Sequence, residues 1–507
     1  MILRLLLLAV GATWVPFSGS NAALKSCFKN TLIDRGSFAF AGDLFYNHIV
    51  NRYNLNIPVT PAAMAFPTVP QSTDIQSRPE VEDTAMAITV RLQRYLLTDY
   101  FSLKTNMRYV TGLGGTDGAV AIDLKHLQQF SMDNTTWQAT IGAGSLLSDV
   151  TQRLYHAGGR TMSHGICPQV SSGGHFTIGG LGPTSRQFGT AFDHVLEVEV
   201  VLANSSIVRA SGTANKDLFW AIKGAASGYG IITEFKVRTE PEPGTAVQYA
   251  YSLEIGSPKD QAALFKSWQA FVSDPKLTRK MASTLTVLEH SMAISGTFFG
   301  TREEYDKMNL GKRFPGAHGS VLVFDDWLGI VVHWAQDLVL KFGAGIPTNF
   351  YAKSTSWTPQ TLMTPETIDR MFDYIGTINK GTLGWFLLFD FQGGYTNDIR
   401  INATSYAHRD VLIWLQSYTL DFFGHISQTQ IDFLGGLNKI VTNDALPYTA
   451  YPGYVDPLMS NGPEAYWGTN PPRLQQIKEQ VDPNNVFRNP QSPSPTKEGE
   501  YRCQKGL

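Results

Sequence analysis

The residues most able to do chemistry lie in one glycine-rich stretch, residues 163–235, which also contains Cys167. The chain reads SGGHFTIGGLG over residues 172–182 and GYGII over residues 228–232. Glycine has no Cβ, so a backbone this rich in glycine can closely approach a large planar or phosphorylated ligand. A cysteine thiol in the same stretch could bond covalently to that ligand. The stretch therefore predicts a binding site for a large cofactor.

Two further features within this stretch make the pattern more specific. An alternating β-branched strand is predicted over residues 191–202, and the block DLFWA follows at residues 217–221. With these neighbours, the stretch resembles the flavin-binding half of the berberine bridge enzyme family, which has the vanillyl-alcohol oxidase type of fold. Within that family it is most similar to the fungal glucooligosaccharide-oxidase-like flavoproteins. The resemblance extends over about residues 27–492.

The resemblance implies FAD as the cofactor. In the family, the cysteine that matches Cys167 attaches to C6 of FAD, so Cys167 is predicted to hold the flavin covalently. The alternative for Cys167 is a small buried apolar residue, and the alternative for His175 is a loop histidine bonded to backbone. The other predicted FAD-binding residues are Gly112, Gly114, Gly115, Gly173, Gly174, His175, Gly179, Gly180, Gly182, Gly228, Gly230 and Ile231.

The same resemblance implies a pair of catalytic residues. The segment YPGYVDP at residues 451–457 is similar to a tyrosine-containing element that lies over the flavin in the family, which makes Tyr454 the predicted general base. A phenol with a pKa of about 10 is a poor base at neutral pH and needs a partner that takes its proton. Asp390, within the apolar sequence LLFDFQGG, is the predicted relay. The alternatives are aromatic packing for Tyr454 and a turn or sheet-edge position for Asp390.

Gln416 and Tyr451 are the predicted substrate contacts, and Tyr451 is also the next candidate for the base. Gln416 is similar to a substrate-facing glutamine of the sugar-oxidising members, with a glutamine on a helix surface as the alternative. Leu388 lies two residues before Asp390, where the sugar oxidases tend to carry a second glutamine. Loss of that amide removes a donor and an acceptor for a sugar hydroxyl. The sequence therefore leaves carbohydrate specificity open.

One part of the family pattern is missing. Relatives carry an Arg-x-Gly-Gly-His element before the glycines at residues 112–118, and its histidine binds C8α of FAD. Here residues 72–111 contain no histidine, and residues 87–101 resemble an amphipathic helix. Either the protein is a divergent member with one covalent bond through Cys167, or the stretch is an artefact of the gene model. In the second case the pyrophosphate loop is absent.

The rest of the chain predicts an α+β fold of two domains, because 507 residues exceed what one core usually supports. Residues 23–240 are predicted to begin the FAD-binding domain, which residues 444–492 complete. Residues 241–443, after the linker sequence EPEPG, are predicted to form a substrate domain with an antiparallel sheet backed by helices. A helix is predicted over residues 145–157 and a shorter one over residues 473–478. Residues 493–507 are predicted to be disordered.

The N-terminus predicts secretion. Arg4 precedes an apolar run, and residues 20–22 offer a small-residue cleavage site, so residues 1–22 are a predicted signal peptide. Sequons at Asn134, Asn204 and Asn402 fit an extracellular protein.

Cysteine and charge counts narrow the possible partners. The chain has three cysteines, which provide neither a disulfide framework nor a zinc site, and Cys27 is predicted to be unpaired or joined to Cys503. The 41 basic and 43 acidic residues leave no excess of positive charge that would attract nucleic acid. No membrane partner and no metal are predicted, and the protein is expected to be a monomer.

The predicted function is that of a secreted FAD-dependent oxidase. Hydride passes from the carbon of an alcohol or a sugar hemiacetal to flavin N5, and O2 reoxidises the flavin to give H2O2. The partners are then a small-molecule or oligosaccharide substrate and O2. One alternative is an oxidase or cyclase of a secondary metabolite. Another is a flavin-free, inactive member, which the missing histidine element motivates.

Overall fold

A computed structural model of the protein describes most of the chain beyond residue 120. The described residues are 25, 36–44, 46, 50, 53–57, 61–67, 101–104, 120–254, 256–289, 291–314, 316–342, 346–442, 448–488 and 492–495, with residues 101–104 and 338–342 described by their backbone alone. The predicted signal peptide, Cys27, Cys503, Gly112, Gly114 and Gly115 lie outside these residues, as do most of residues 72–111 and most of the C-terminal tail.

The first sheet combines strands from both sides of the segment that lacks the family pattern. Its strands are β1 (Gly36–Phe40), β2 (Ala63–Pro67), β3 (Phe101–Lys104) and β4 (Val120–Asp123). The order is β1-β2-β4-β3, with β4 parallel to both β2 and β3. Strand β3 was not predicted, because residues 87–101 had suggested a helix. The end of the unmatched segment is therefore part of a sheet.

The second sheet contains the strand predicted after the glycine-rich stretch. Its strands are β5 (Phe130–Asp133), β6 (Gln138–Gly142), β8 (Val195–Val201), β9 (Ile207–Ser211) and β10 (Ile231–Arg238), in the antiparallel order β5-β6-β10-β8-β9. The short strands β7 (Arg160–Thr161) and β11 (Glu240–Pro241) pair with each other. The prediction of a strand over residues 191–202 is confirmed from residue 195 onwards, whereas Ala191–His194 forms a 3₁₀ turn.

Four helices belong to this part of the fold. They are α1 (Leu147–His156), α2 (Ser172–His175), α3 (Ser185–Phe188) and α4 (Lys216–Ala225). Helix α1 confirms the helix predicted over residues 145–157, and its buried residues include Leu147, Val150 and Leu154, which repeat at helical spacing. These side chains pack into one core with strands β6, β8 and β10.

The third sheet is the largest among the described residues, with seven antiparallel strands. They are β12 (Ala246–Glu254), β13 (Thr284–Val287), β14 (Ser291–Phe298), β15 (His318–Phe324), β16 (Asn349–Trp357), β17 (Trp385–Phe391) and β18 (Ile413–Asp421). The order is β15-β12-β14-β13-β17-β18-β16. Strand β17 reads WFLLFDF, and its residues alternate between buried and partly exposed, as a strand does when one face is covered.

Helices cover one face of the third sheet. The helices of this region are α5 (Pro258–Val272), α6 (Arg302–Asp306), α7 (Leu310–Arg313), α8 (Trp327–Phe342), α9 (Pro365–Thr377), α10 (Tyr395–Asp398) and α11 (Gln428–Thr442). Apolar residues of α5, α9 and α11 form one core with Leu387 and Phe389 of β17. The opposite face carries Phe386, Leu388 and Asp390. An α+β fold with an antiparallel sheet backed by helices is therefore confirmed.

The last part of the chain returns to the first core through helices α12 (Gly462–Trp467) and α13 (Pro471–Val481). In α13 the fully buried Lys478 donates from Nζ to Asp482 Oδ2 at 2.6 Å, to Gly228 O at 2.5 Å and to Phe487 O at 2.7 Å. Asp482 in turn accepts from the backbone of Val486 and Phe487, at 2.8 Å each. Lys478 and Asp482, which we call the buried clamp, thus hold the closing sequence DPNNVF at residues 482–487 against the end of the helix.

The short helix predicted over residues 473–478 is confirmed but longer, because α13 spans eleven residues. Of the tail predicted to be disordered, only residues 493–495 are described, and there Pro493 and Pro495 are buried and Pro493 lies beside Gly228. Within the described ranges, no helix is both long and apolar enough to cross a membrane.

Candidate active site

Asp390 and Gln416 meet on the face of the third sheet that the helices leave uncovered. Asp390 lies near the end of β17, and its Oδ1 accepts a hydrogen bond from Thr284 Oγ1 of β13 at 2.9 Å. Its Oδ2 accepts a hydrogen bond from Gln416 Nε2 of β18. Gln416 of β18 is directly opposite Leu388 of β17 in the register. Asp390, Leu388 and Gln416 therefore occupy neighbouring positions on two paired strands. Gln416 lies on a strand, not on a helix surface.

The surroundings of Asp390 favour its protonated form. Burial raises the pKa of the carboxyl group above its ordinary value, and the hydrogen bonds from Thr284 and Gln416 offset part of that rise. The structure gives this carboxylate no cationic partner among the described residues. A carboxyl group in such a place can accept a proton at a higher pH than an exposed aspartate, which is what a relay requires.

Tyr454 lies in the returning segment, beside this face of the sheet. Its ring centroid is 5.3 Å from that of Tyr451 and 6.3 Å from that of Tyr418, at an interplanar angle of 83° to the latter. Its backbone N donates to Tyr451 O at 2.9 Å, which closes a tight turn. Tyr454 is half-buried and packs against the apolar cluster formed by Phe350, Ala352 and Tyr418.

Tyr418 is a residue that the sequence analysis missed. It follows Gln416 by two positions in β18, so it projects from the same face. It is buried, and burial is the largest cause of the rise in its pKa, followed by the charges of Tyr53 and Asp390. Contact with the Tyr454 side chain lowers that pKa, although the hydroxyl of Tyr418 makes no hydrogen bond of ordinary geometry with the described residues. Tyr418 therefore lies beside the ring of the predicted base and on the same sheet face as the predicted relay.

Tyr451 holds the returning segment against the glycine-rich stretch. Its hydroxyl accepts a hydrogen bond from Gly180 N at 2.9 Å, and its own N donates to Ser354 Oγ of β16 at 2.9 Å. Burial raises the pKa of this phenol to about 12. A Cβ on Gly179 would come within 2.7 Å of the Tyr451 hydroxyl oxygen, and φ is +133° at that glycine. Tyr451 was predicted to contact substrate, but here its hydroxyl contacts backbone.

A second group of polar residues ties the returning segment to β16. Lys353 Nζ is paired with Asp456 Oδ2 at 2.5 Å, and Tyr351 donates to Asp456 Oδ1 at 3.0 Å. Asp456 is buried, and its N donates to the Tyr466 hydroxyl at 2.8 Å. The sequence analysis noted Asp456 only as part of a motif and missed Lys353, because their pairing depends on the return of the chain.

The glycine-rich stretch folds around Cys167 and His175. Cys167 is half-buried, with Sγ 3.6 Å from Gln169 Oε1. Gly173, Gly174 and His175 lie in α2, and the N of Gly173 donates to Ala143 O at 2.9 Å. His175 Nε2 accepts from Gly165 N at 2.8 Å, which requires a neutral ring.

The pKa of His175 is lowered to about 3 by burial. His175 is thus bonded to backbone in this structure, which was the alternative predicted for it.

Several of the predicted cofactor glycines make close contacts with protein. A Cβ on Gly182 would lie 1.7 Å from His164 O, and one on Gly230 would lie 2.6 Å from Val200 Cγ1. Gly228 O accepts from the buried lysine of the clamp. Ile231 is buried in β10, opposite Val201. At Gly182 and Gly230 the absence of a side chain is already explained by packing, whereas Gly112, Gly114 and Gly115 lie outside the described residues.

One buried group near the glycine-rich stretch lacks a protein partner. The Ser145 side chain is fully buried, and its Oγ has no hydrogen-bond partner within the described part of the chain. Ser145 O accepts from Ser172 N at 2.8 Å, so this hydroxyl lies beside α2. A buried hydroxyl without a partner is costly unless a ligand or water satisfies it. This hydroxyl and the partly exposed thiol of Cys167 suit a large cofactor with polar groups.

Comparison with known protein families gives two matches. The FAD binding domain family matches residues 104–211, and the berberine and berberine-like family matches residues 450–493. The first match contains Cys167 and glycines 173–182, and the second contains Tyr451 and Tyr454. The first match begins at residue 104, so it leaves out most of the segment in which the histidine element is missing.

Individual relatives extend over nearly the whole chain. An FAD-linked oxidoreductase from Penicillium rubens is 37% identical over 464 residues, which is 90% of this chain and 95% of that protein. A chitooligosaccharide oxidase from Gibberella zeae is 30% identical over 473 residues, which is 87% of this chain and 89% of that protein.

Solved structures show the same likeness. The structure of a chitooligosaccharide oxidase superposes with a TM-score of 0.82 at 26% identity, over 93% of this chain and 99% of the other. A glucooligosaccharide oxidase from Acremonium strictum superposes with a TM-score of 0.81 at 27% identity, over 94% of this chain and 98% of the other. A further structure of that enzyme is described with 6-S-cysteinyl, 8α-N1-histidyl FAD.

Proposed function

Because the chain belongs to the berberine bridge enzyme-like family of FAD-linked oxidoreductases, we propose that it oxidises a carbon that bears a hydroxyl group, in an alcohol or a sugar hemiacetal. The family membership, the fold of vanillyl-alcohol oxidase type and FAD as the cofactor form the premise. The observation that carries the proposal is Asp390, a half-buried carboxyl group with a raised pKa, bonded to Gln416 on the sheet face that also carries Tyr418, whose ring lies beside that of Tyr454.

A bound flavin would supply the redox chemistry, since it would accept the hydride that the substrate carbon loses and pass the electrons to O2 to give H2O2. This chain would hold the cofactor through the Cys167 thiol and through the unsatisfied hydroxyl of Ser145. A cysteinyl link in the Acremonium strictum enzyme supports that role for Cys167. The glycines of residues 173–182 shape the backbone around this site.

The protein side chains manage the proton. Tyr454 accepts the proton of the substrate hydroxyl while the carbon loses hydride, and Asp390 serves as the relay that takes the proton on. The raised pKa of Asp390 suits a final acceptor, because the carboxyl group is more readily protonated than an exposed aspartate. Tyr451 acts as a positioning residue, because its hydroxyl is already bonded to Gly180. Gln416 orients Asp390 and presents its amide oxygen to the substrate.

The names of the relatives support an oligosaccharide substrate, since they include chitooligosaccharide and glucooligosaccharide oxidases. Oxidation or cyclisation of a secondary metabolite is the second candidate, favoured by Leu388, which projects from the same face as Asp390 and offers no hydrogen bond. Both candidates use the same hydride and proton transfers.

Secretion, the domain limits and a monomeric state are part of the proposal. The predicted signal peptide at residues 1–22 supports export. Asn134, Asn204 and Asn402 are all exposed, as glycosylated asparagines must be. The two large apolar cores support a division at about residue 240, since one core draws on residues 40–237 and 406–487 and the other on residues 247–441.

The first experiment is a visible spectrum of the purified protein, repeated on the pellet after acid precipitation. A yellow pellet that turns white in Cys167→Ala supports covalent attachment through that thiol, and Cys503→Ala serves as the matched control that stays yellow. A yellow supernatant over a white pellet would contradict the attachment but not the oxidase. A folded, colourless protein that takes up no added FAD would contradict the proposed function.

Activity is then tested by peroxide release with oligosaccharides and with aromatic alcohols. Release that is lost in Tyr454→Phe supports the proposed reaction. No peroxide and no anaerobic bleaching of the flavin with either class would contradict it.

A further inference from the structure

Arg186 is a buried cation that reaches from the glycine-rich stretch to the third sheet. It lies in α3, and its exposed fraction is only 5%. Its guanidinium lies over the ring of Phe391, with Cζ 3.7 Å from the ring centroid. Nη1 donates to Gln392 O at 2.8 Å, and Nη2 donates to Leu277 O at 3.4 Å and to Thr278 O at 3.3 Å. One side chain thus contacts the end of β17 and the loop that precedes β13.

Stability alone does not explain an arginine at this place. The guanidinium has no carboxylate partner within the described part of the chain, and its Nε has no hydrogen-bond partner there. Burial lowers the pKa of Arg186 to about 10, so the group is still a cation at neutral pH. An apolar side chain of similar length would avoid the cost of burying that charge. The position therefore suits a group that must hold particular backbone atoms in place.

On one side, Arg186 is anchored to the predicted flavin site. Gly182 N donates to Ser185 Oγ at 2.9 Å, and Ser185 N donates to Gly182 O at 3.0 Å. Thr184 Oγ1 donates to Ser163 Oγ at 3.1 Å, and both residues are buried. Helix α3 therefore continues the glycine-rich stretch as one hydrogen-bonded unit.

On the other side, the turn after β17 fits closely against the backbone of α3. A Cβ on Gly394 would lie 2.4 Å from Arg186 O, and φ is +64° at this glycine. Thr396 Oγ1 donates to Ser185 O at 3.4 Å. The backbone contacts and the guanidinium thus join the same two segments.

This junction directly follows Asp390 in the chain. Phe391 N donates to Ser283 O at 2.9 Å, and the next residue, Thr284, donates to Asp390 Oδ1. Asp390 and Phe391 project from opposite faces of the sheet, so Arg186 supports β17 from the face opposite the carboxyl group. A shift at Gln392 would therefore reach Asp390 through a single intervening residue.

We propose that Arg186 is a positioning residue that fixes Asp390 relative to the flavin held by the glycine-rich stretch. This inference rests on the proposed function, in which hydride leaves towards the flavin while the proton moves towards Asp390. Both transfers need one geometry, and a displacement of about 1 Å can cost about 100-fold in rate. Arg186 maintains that geometry through Phe391 and Gln392, without contact with the substrate.

The test measures flavin reduction by xylobiose and by cinnamyl alcohol in stopped flow, with the flavin-loaded protein. Arg186→Met keeps an apolar contact with Phe391 but removes the charge and the donors, and it should lower kcat about 10- to 100-fold with the flavin absorbance unchanged. It should also shift the acidic limb of the pH profile of kcat, because the surroundings of Asp390 change. Arg186→Lys, which keeps the charge, should recover part of the rate.

Arg279→Met is the matched control, because Arg279 is an exposed arginine of the neighbouring loop that pairs with the exposed Asp398. It should leave both the rate and the pH profile unchanged. Equal rates and equal pH profiles for Arg186→Met and Arg279→Met would overturn the inference. A lower melting temperature of Arg186→Met with an unshifted pH profile would also overturn it, since a purely structural role predicts that result.

Hydrogen exchange gives a readout that does not depend on turnover. Arg186→Met should accelerate amide exchange in residues 390–394, whereas Arg279→Met should not. If neither substrate reduces the flavin of the unaltered protein, the proposed function fails, and exchange alone decides whether Arg186 fixes the end of β17. Unchanged exchange in residues 390–394 would then overturn the inference as well.

Discussion

Replacement of Lys478 by methionine is expected to destabilise the flavin-binding half of the protein strongly. Both members of the Lys478–Asp482 pair are 0% exposed, so solvent does not screen their interaction. The substitution leaves the Asp482 carboxylate buried without its cation and removes the Nζ donor from which Gly228 O and Phe487 O accept. Loss of one partner of a buried ion pair costs about 3–5 kcal/mol. The expected fall in melting temperature is on the order of 10 °C.

The assay is thermal unfolding followed by circular dichroism, with flavin fluorescence as a second signal. Lys266→Met is the matched control, because its partner Asp369 is exposed and the pair spans two surface helices. That change should cost less than about 1 kcal/mol. The double variant Lys478→Met/Asp482→Asn removes the charge as well and should recover about half of the lost stability. Equal melting temperatures for Lys478→Met and Lys266→Met would refute the reasoning.

Three further predictions concern the candidate site and the buried histidines. Asp390→Asn should lower kcat by about 10²–10⁴ in stopped-flow flavin reduction. It should also abolish the acidic limb of the pH profile of kcat, because the raised pKa of Asp390 sets that limb. A loss of kcat below tenfold would count against the relay. Tyr418→Phe should shift the pH dependence of kcat with the flavin spectrum unchanged, whereas a purely structural role predicts an unshifted profile.

The third prediction concerns the buried histidines. Burial lowers the pKa of His175 and His194 to about 3 and of His408 to about 4. On acidification the unfolded chain therefore takes up protons at these histidines at a higher pH than the folded protein does. The free energy of unfolding in urea should therefore be highest above pH 6.5 and should fall towards pH 4, by about 1.4 kcal/mol per pH unit for each histidine. A free energy of unfolding that does not change over this pH range would refute the prediction.

The parts of the fold that could be predicted from sequence are those with local patterns. The helix at Leu147–His156 follows from apolar residues at helical spacing, and the strand at Val195–Val201 follows from β-branched alternation. Strand β3 could not be predicted in this way, because it is a short edge strand stabilised by pairing with β4. The residues next to β3 in sequence do not reveal this strand, since its pairing partner β4 lies sixteen residues or more away.

The sequence could name candidate residues for the site but not their contacts. Resemblance to a family supplied Asp390, Gln416 and Tyr454, and the structure joins the first two by a hydrogen bond. Tyr418 could have been found from its position two residues after Gln416 once that segment was read as a strand. Lys353 could not, because its ion pair with Asp456 spans about a hundred residues and depends on where the chain returns.

The returning segment also affects when the protein can become active. Tyr454 is held in place by Tyr451, which contacts Gly180 and Ser354, and by Asp456, which pairs with Lys353. These anchors come from residues far apart in the chain, so the position of Tyr454 depends on the folding of both the glycine-rich stretch and the third sheet. Under the proposed function, a chain in which only the glycine-rich stretch has folded has no assembled proton acceptor. Oxidation of substrate is then tied to completion of the whole fold.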